Sequence, residues 1–97
     1  MPSEAAIVRR VLAELNSWPK TRAVKMHGSP YSRAGTPDIL GCTHGLMFVL
    51  EAKSIGKTPS KIQRYELQKW EQAGAVVRWF TSYQDAIDTV RAMVPAG

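Results

Sequence analysis

Apolar residues recur along the chain with two periods, and the changes between them divide it into seven segments. Ile7, Val8, Val11, Leu12 and Leu15 form one stripe at helical spacing. With Ser3 as a cap, they predict a helix from Glu4 to Asn16, stopped by Ser17-Trp18-Pro19. Residues 21–27 alternate loosely, Ala23 and Val24 lying between cations, and read as a first strand. Gly28 to Gly35 is a loop by composition. A hairpin follows, in which Pro37-Asp38 opens a short apolar run, His44-Gly45 turns, and the run from Leu46 to Leu50 ends in Glu51-Ala52-Lys53. Met47, Val49, Glu51 and Lys53 share one face of that last strand, and Leu46, Phe48, Leu50 and Ala52 the other. Both faces are apolar until Glu51, as in a strand covered on both sides.

The next helix opens either at Thr58-Pro59 or at Ser60, where Gln63 would complete a capping box. It runs to about Ala73, burying Ile62, Leu67 and Trp70 with part of Tyr65, and Gly74 ends it. Residues 75–81 form a strand whose Val76, Val77, Trp79 and Phe80 leave little exposed apart from Arg78. Ser82, with Asp85 three residues on, caps a last helix through Ala86, Ile87, Val90 and Met93. The order is helix, three strands, helix, strand, helix: a mixed α/β domain over residues 1–97 with its core from about 4 to 90. No repeat, low-complexity tract or linker divides it.

The hairpin carries charges where its pattern calls for apolar residues. With His44 and Gly45 at the turn, antiparallel pairing sets Asp38 opposite Glu51. Opposed like charges destabilise a sheet unless something lies between them, and a divalent cation is the obvious candidate. Two carboxylates and an amine converging at a core's edge are what metal-assisted phosphodiester cleavage needs. Hard oxygens hold Mg²⁺, and a cation, here Lys53, offsets developing charge.

Composition extends this picture. Formal net charge is +5, and nine of the thirteen Lys and Arg residues lie between Lys20 and Lys69, around the carboxylates. A polyanion approaching acidic metal ligands needs such a surround, which points to nucleic acid. Arg33 and Tyr31 in the Ser/Gly/Arg loop, and Lys57, Lys61 and Arg64 near the start of the second long helix, are the candidate contacts. Cations at a helix N-terminus oppose its dipole, so their position suits phosphate better than helix stability. Gly56-Lys57-Thr58 is not a P-loop, because the required earlier glycine falls at Glu51. The single Cys42 excludes an internal disulfide and is expected to be a turn residue in a reducing compartment, while His27 and His44 give no zinc-finger spacing. The absence of a long apolar run or signal-peptide pattern makes a soluble cytoplasmic protein the expectation.

Pro37-Asp38 followed by Glu51-Ala52-Lys53 matches the Pro-Asp…(Asp/Glu)-x-Lys signature of restriction-endonuclease-like nucleases. Gly35 before Pro-Asp, the Gly-Lys-Thr-Pro-Ser loop after the lysine, and Gln63 in the next helix make the chain resemble the virus-type replication-repair nuclease (VRR-NUC) domain of that superfamily. The resemblance covers about Glu4 to Val90. It implies an αβββαβ core with a mixed central sheet, plus a C-terminal helix. It also implies a Mg²⁺- or Mn²⁺-dependent DNA endonuclease with metal at Asp38, Glu51 and the Ala52 carbonyl, Lys53 as the catalytic cation and Gln63 in support. A first-helix glutamate helps to bind metal in the resembled family, and Glu4 is the matching position. From the residues alone, Glu4 reads as a first-turn charge complementing the helix dipole, and Gln63 as a cap. Stand-alone members of the family resemble Holliday-junction resolvases. Together with the small size of the chain, this implies a homodimer cutting four-way DNA. The rival expectations are a nucleic-acid-binding module without chemistry, an enzyme for flaps, single strands or RNA, and a subunit that needs another chain.

Overall fold

A computed structural model describes residues 3–27 and 34–96. The expected Tyr31 and Arg33 contacts lie outside the described residues. Helix α1 (Glu4–Leu15) starts at Ser3, whose hydroxyl accepts from the Ala6 N–H at 3.1 Å. Strands β1 (Thr21–Lys25), β2 (Ile39–Thr43) and β3 (Leu46–Ala52) form an antiparallel meander. Helix α2 (Lys61–Gln72) then crosses to β4 (Val76–Phe80), which pairs parallel to β3, and α3 (Tyr83–Arg91) closes the chain. The sheet order is β1-β2-β3-β4, so the sheet is mixed and the most apolar strand is internal. Among the described residues, no helix is long and apolar enough to cross a membrane.

The β2–β3 register follows from the turn. His44 and Gly45 have φ of 50° and 82°, as a two-residue type I′ hairpin requires, and pairing proceeds from Thr43↔Leu46 to Ile39↔Leu50. Helices α1 and α3 pack on one face. Val8, Val11 and Leu15 meet Phe48, Leu50 and Ala52 there, and Ala86, Ile87 and Val90 complete a closed core. Helix α2 covers the other face through Leu67, against Val49 and Ala75, with Leu40, Trp70 and Val77 partly buried around them. Asn16 ties α1 to the outer strand, since its side chain both donates to the Ala23 carbonyl at 2.9 Å and accepts from the Ala23 N–H at 2.8 Å.

Two expectations from the apolar pattern are corrected. Ile62 on α2, and Val76 and Trp79 on β4, are each between about 38 and 49% exposed, because β4 ends the sheet and one helix spans less than its full width, while Tyr65 is half-buried as expected. Cys42 sits in β2 and not in the turn, exposed on the α2 side of the pleat.

Candidate metal and phosphate site

Asp38 precedes β2 by one residue, and Glu51 is the penultimate residue of β3. Continuing the hairpin register one rung beyond Ile39↔Leu50 sets them opposite each other. By the pleat they lie on the face of Leu40 and Val49, where α2 packs. Gly35 aims the approach to Asp38. Its φ is +79°, and a Cβ there would sit 2.9 Å from the Ile62 carbonyl oxygen. Only glycine lets this loop rest on the first turn of α2 before buried Pro37 leads into the site.

The two carboxyls lie close enough for each to shift the other's pKa. Glu51 is 2% exposed, and its Oε2 has no hydrogen-bond partner among the described residues. Burial first, then the contact and charge of Asp38, push the Glu51 pKa up to about 9. Burial beside Asp38 thus favours the protonated form of Glu51. Burial also acts to raise Asp38. The neighbouring Glu51 carboxyl, the Ala52 N–H and the Lys25 ammonium outweigh it and hold Asp38 below its ordinary value. Asp38 Oδ2 accepts from Ala52 N at 2.8 Å, and Oδ1 is paired with Lys25 Nζ at 3.3 Å.

This donor set fits a hard divalent cation. It offers two carboxylates in contact, one oxygen buried without a partner, and no His or Cys; among the described residues no group of three His, Cys, Asp or Glu converges. Mg²⁺ is commonly held by one or two carboxylates, with water and substrate phosphate completing its shell.

Lys53 lies one position beyond β3 and is fixed there by its N–H, which donates to the Phe80 carbonyl at 2.8 Å. Its charge acts on Glu51. Glu4, at the start of α1 on the other side of the sheet, is not brought into the carboxylate pair. Its Oε1 accepts from Ser54 Oγ at 3.3 Å. Gln63 forms the capping box with Ser60, its Oε1 accepting from the Ser60 N–H at 2.8 Å. Lys57 and Lys61 are exposed before and at the start of α2. Arg64, also exposed, lines a cleft of about 570 Å³ between α2, β4 and the start of α3. Lys25 was absent from the sequence-based set. The signal for it is the β1–β2 register, which pairs Lys25 with Ile39 and brings it beside Asp38.

Against known proteins, no family model and no curated protein matches the chain. The chain is similar to a solved structure described as a "VRR_NUC domain", with a TM-score of 0.74 and 20% identity over 91% of this chain and 94% of that one. The protein therefore has the fold of a VRR-NUC domain, the restriction-endonuclease-like α/β arrangement.

Proposed function

We propose that the protein is a divalent-metal-dependent DNA endonuclease, selective for branched structure and acting as a homodimer on four-way junctions. The observation that carries this reading is the Asp38–Glu51 pair at the ends of the two inner strands, where buried Glu51 has an oxygen that no described residue satisfies and Lys53 acts on it. On this reading Asp38, Glu51 and the Ala52 carbonyl hold Mg²⁺ or Mn²⁺. The chemistry that such an ion supplies when bound is polarisation of a phosphate oxygen and activation of water. The Ala52 N–H locks the Asp38 carboxylate in orientation. Lys53 orients the attacking water or offsets the charge that develops on the phosphate. Gln63 supports the geometry through the first turn of α2, while Glu4, outside the pair, adjusts the field at Lys53 from the α1 side.

Nucleic acid is favoured by the +5 charge and by exposed cations where α2 begins. Lys57, Lys61 and Arg64, with Arg33 and Tyr31 from the preceding loop, are assigned to the backbone and not to base edges. The homodimer reading is supported at the β4 edge. Val76 and Trp79 are exposed there on an edge strand that pairs with β3 alone among the described residues, whereas the apolar residues of α3 pack into its own core.

The test is a cleavage assay on linear, flapped and four-way DNA and an RNA counterpart, with and without Mg²⁺, together with mass measurement in solution. The expected result is Mg²⁺-dependent paired cuts at symmetry-related phosphates of the four-way junction by a dimer. Wild-type rates in excess chelator would sink the metal dependence, and no cleavage of any substrate with Mg²⁺ present would sink the nuclease reading. A monomer that nicks linear duplex as readily as junctions would sink the substrate and the dimer, and leave the nuclease.

A further inference from the structure

Lys53 borders a second feature that phosphodiester chemistry does not use. A cleft of about 540 Å³ opens between α1, the segment after β3 and the start of α3. That volume lies within the roughly 300–1,000 Å³ of sites that hold small organic ligands. Ile7, Ile55 and Tyr83 form its apolar lining, and Arg10, Lys53 and Gln84 are among its polar residues. Ile55 is 68% exposed, an apolar side chain standing at the mouth with no core to join.

Arg10 gives the cleft its chemistry. Its guanidinium lies over the Tyr83 ring at 4.1 Å from the centroid. Tyr83 packs against the main core, so the ring is a fixed support. Arg10 itself is exposed and lines the cleft. A planar cation pre-stacked on a fixed aromatic ring, with an isoleucine nearby, suits the flat face of a nucleobase and needs little ordering on binding. Arg10 and Lys53 outnumber the one carboxylate of the cleft, Glu4, which Ser54 already engages.

We propose that this cleft receives an unpaired nucleotide adjoining the scissile phosphate, its base stacked on the Arg10 guanidinium and its phosphate at Lys53. The proposal rests on the nuclease reading of Lys53 and narrows its substrate. A base held in a duplex is stacked and paired, and cannot enter a cleft walled by two helices. A flap, a junction centre or a single strand offers a base that can.

The experiment is fluorescence anisotropy in excess chelator with three labelled DNAs of matched length: a continuous duplex, the same duplex with one unpaired nucleotide, and the single strand. Wild type is compared with Arg10→Ala, with Arg10→Lys, which keeps the charge and the stem over Tyr83 but loses the plane, and with Arg9→Ala, an exposed neighbour outside the cleft. Thermal melting of each variant confirms folding. Expected is about a tenfold preference of wild type for the two DNAs with unpaired bases. Both Arg10 variants lose that preference, and Arg9→Ala weakens all three probes alike. A preference that survives in Arg10→Lys, or an Arg10→Ala loss equal on all probes, overturns the proposal. Binding is read without turnover. A protein that prefers unpaired nucleotides through Arg10 but never cuts refutes the nuclease alone, and one that cuts without this preference refutes the cleft alone.

Discussion

The two faces of the sheet are built for different ends. Among the described residues, twelve buried side chains join α1 and α3 to one face, and three form the buried cluster under α2 on the other. The larger cluster is closed: Val11, Leu15, Phe48 and Val90 are fully shielded. The α2 face leaves Ile62 and Tyr65 half in water and carries Asp38 and Glu51 at its margin. A buried carboxyl without a full set of partners is costly, and a chain of this size can carry it only where another region supplies the stability. One face builds the fold, and the other spends part of that stability on a site.

The strongest test of this division is to remove the site. Asp38→Asn and Glu51→Gln each delete a charged oxygen ligand, and cleavage should fall by about a thousandfold or more while circular dichroism stays native. Lys53→Ala should keep metal binding, measured by calorimetry, and lose about a hundredfold in turnover. Unfolding of Asp38→Asn or Glu51→Gln at the assay temperature would mean that these residues hold the fold as well.

Next come truncations in the two cores. Ile87→Ala, in the closed cluster, should cost about 2–5 kcal/mol in urea unfolding, whereas Leu67→Ala should fall at or below the low end of that range, because its half-open surroundings can relax and admit water. Equal losses would erase the distinction between the faces.

The pH dependence of stability isolates the carboxylates. In chelator, folded Glu51 keeps its proton up to about pH 9, whereas the unfolded chain releases it near 4.5. Between those values the folded state binds more protons, so stability falls as pH rises, by up to about 1.4 kcal/mol per pH unit. Asp38 has the opposite sign. Its contribution is present above its unfolded value of 3.8 and is lost as pH falls through the lowered folded value, outside the Glu51 window. Denaturant midpoints from pH 5 to 9 should therefore slope downward for wild type and flatten for Glu51→Gln. A flat wild-type profile would remove the buried-acid description.

The smallest effect concerns the exposed cations before and at the start of α2. Lys57→Gln or Lys61→Gln should weaken DNA binding alike across sequences and make the log–log salt dependence shallower by about one unit. A loss confined to one base position would show that these cations read sequence.

Local patterns carried the hairpin completely. A two-residue His44-Gly45 turn permits one register, and alternation with a period of two then assigns every side chain to a face, so the juxtaposition of Asp38 and Glu51 could be counted out along the chain. Helix caps at Ser3 and Ser82 were legible for the same reason, since each is an interaction within four residues, whereas Thr58-Pro59 and Ser60 both fitted the start of α2 and the structure uses Ser60. Gln63 was ambiguous in the sequence because a cap and an active-site amide use the same atoms, and the structure engages its oxygen in the cap.

Tertiary structure decided what depends on distance across elements. Whether Val76 and Trp79 are buried depends on what lies beyond β4, and no periodicity within a strand reports its place in the sheet. Glu4 continues the apolar stripe of α1, yet α1 packs on the face opposite the carboxylates, which keeps it from joining them. Lys25 reaches Asp38, and Arg10 reaches Tyr83, over 13 and 73 positions respectively. The sequence alone determined the elements, the hairpin register and the residue types of the site, because neighbours along a chain constrain one another's geometry directly. Which groups share a pocket was settled only when the helices chose their faces of the sheet, for that choice follows from burying the whole apolar surface together.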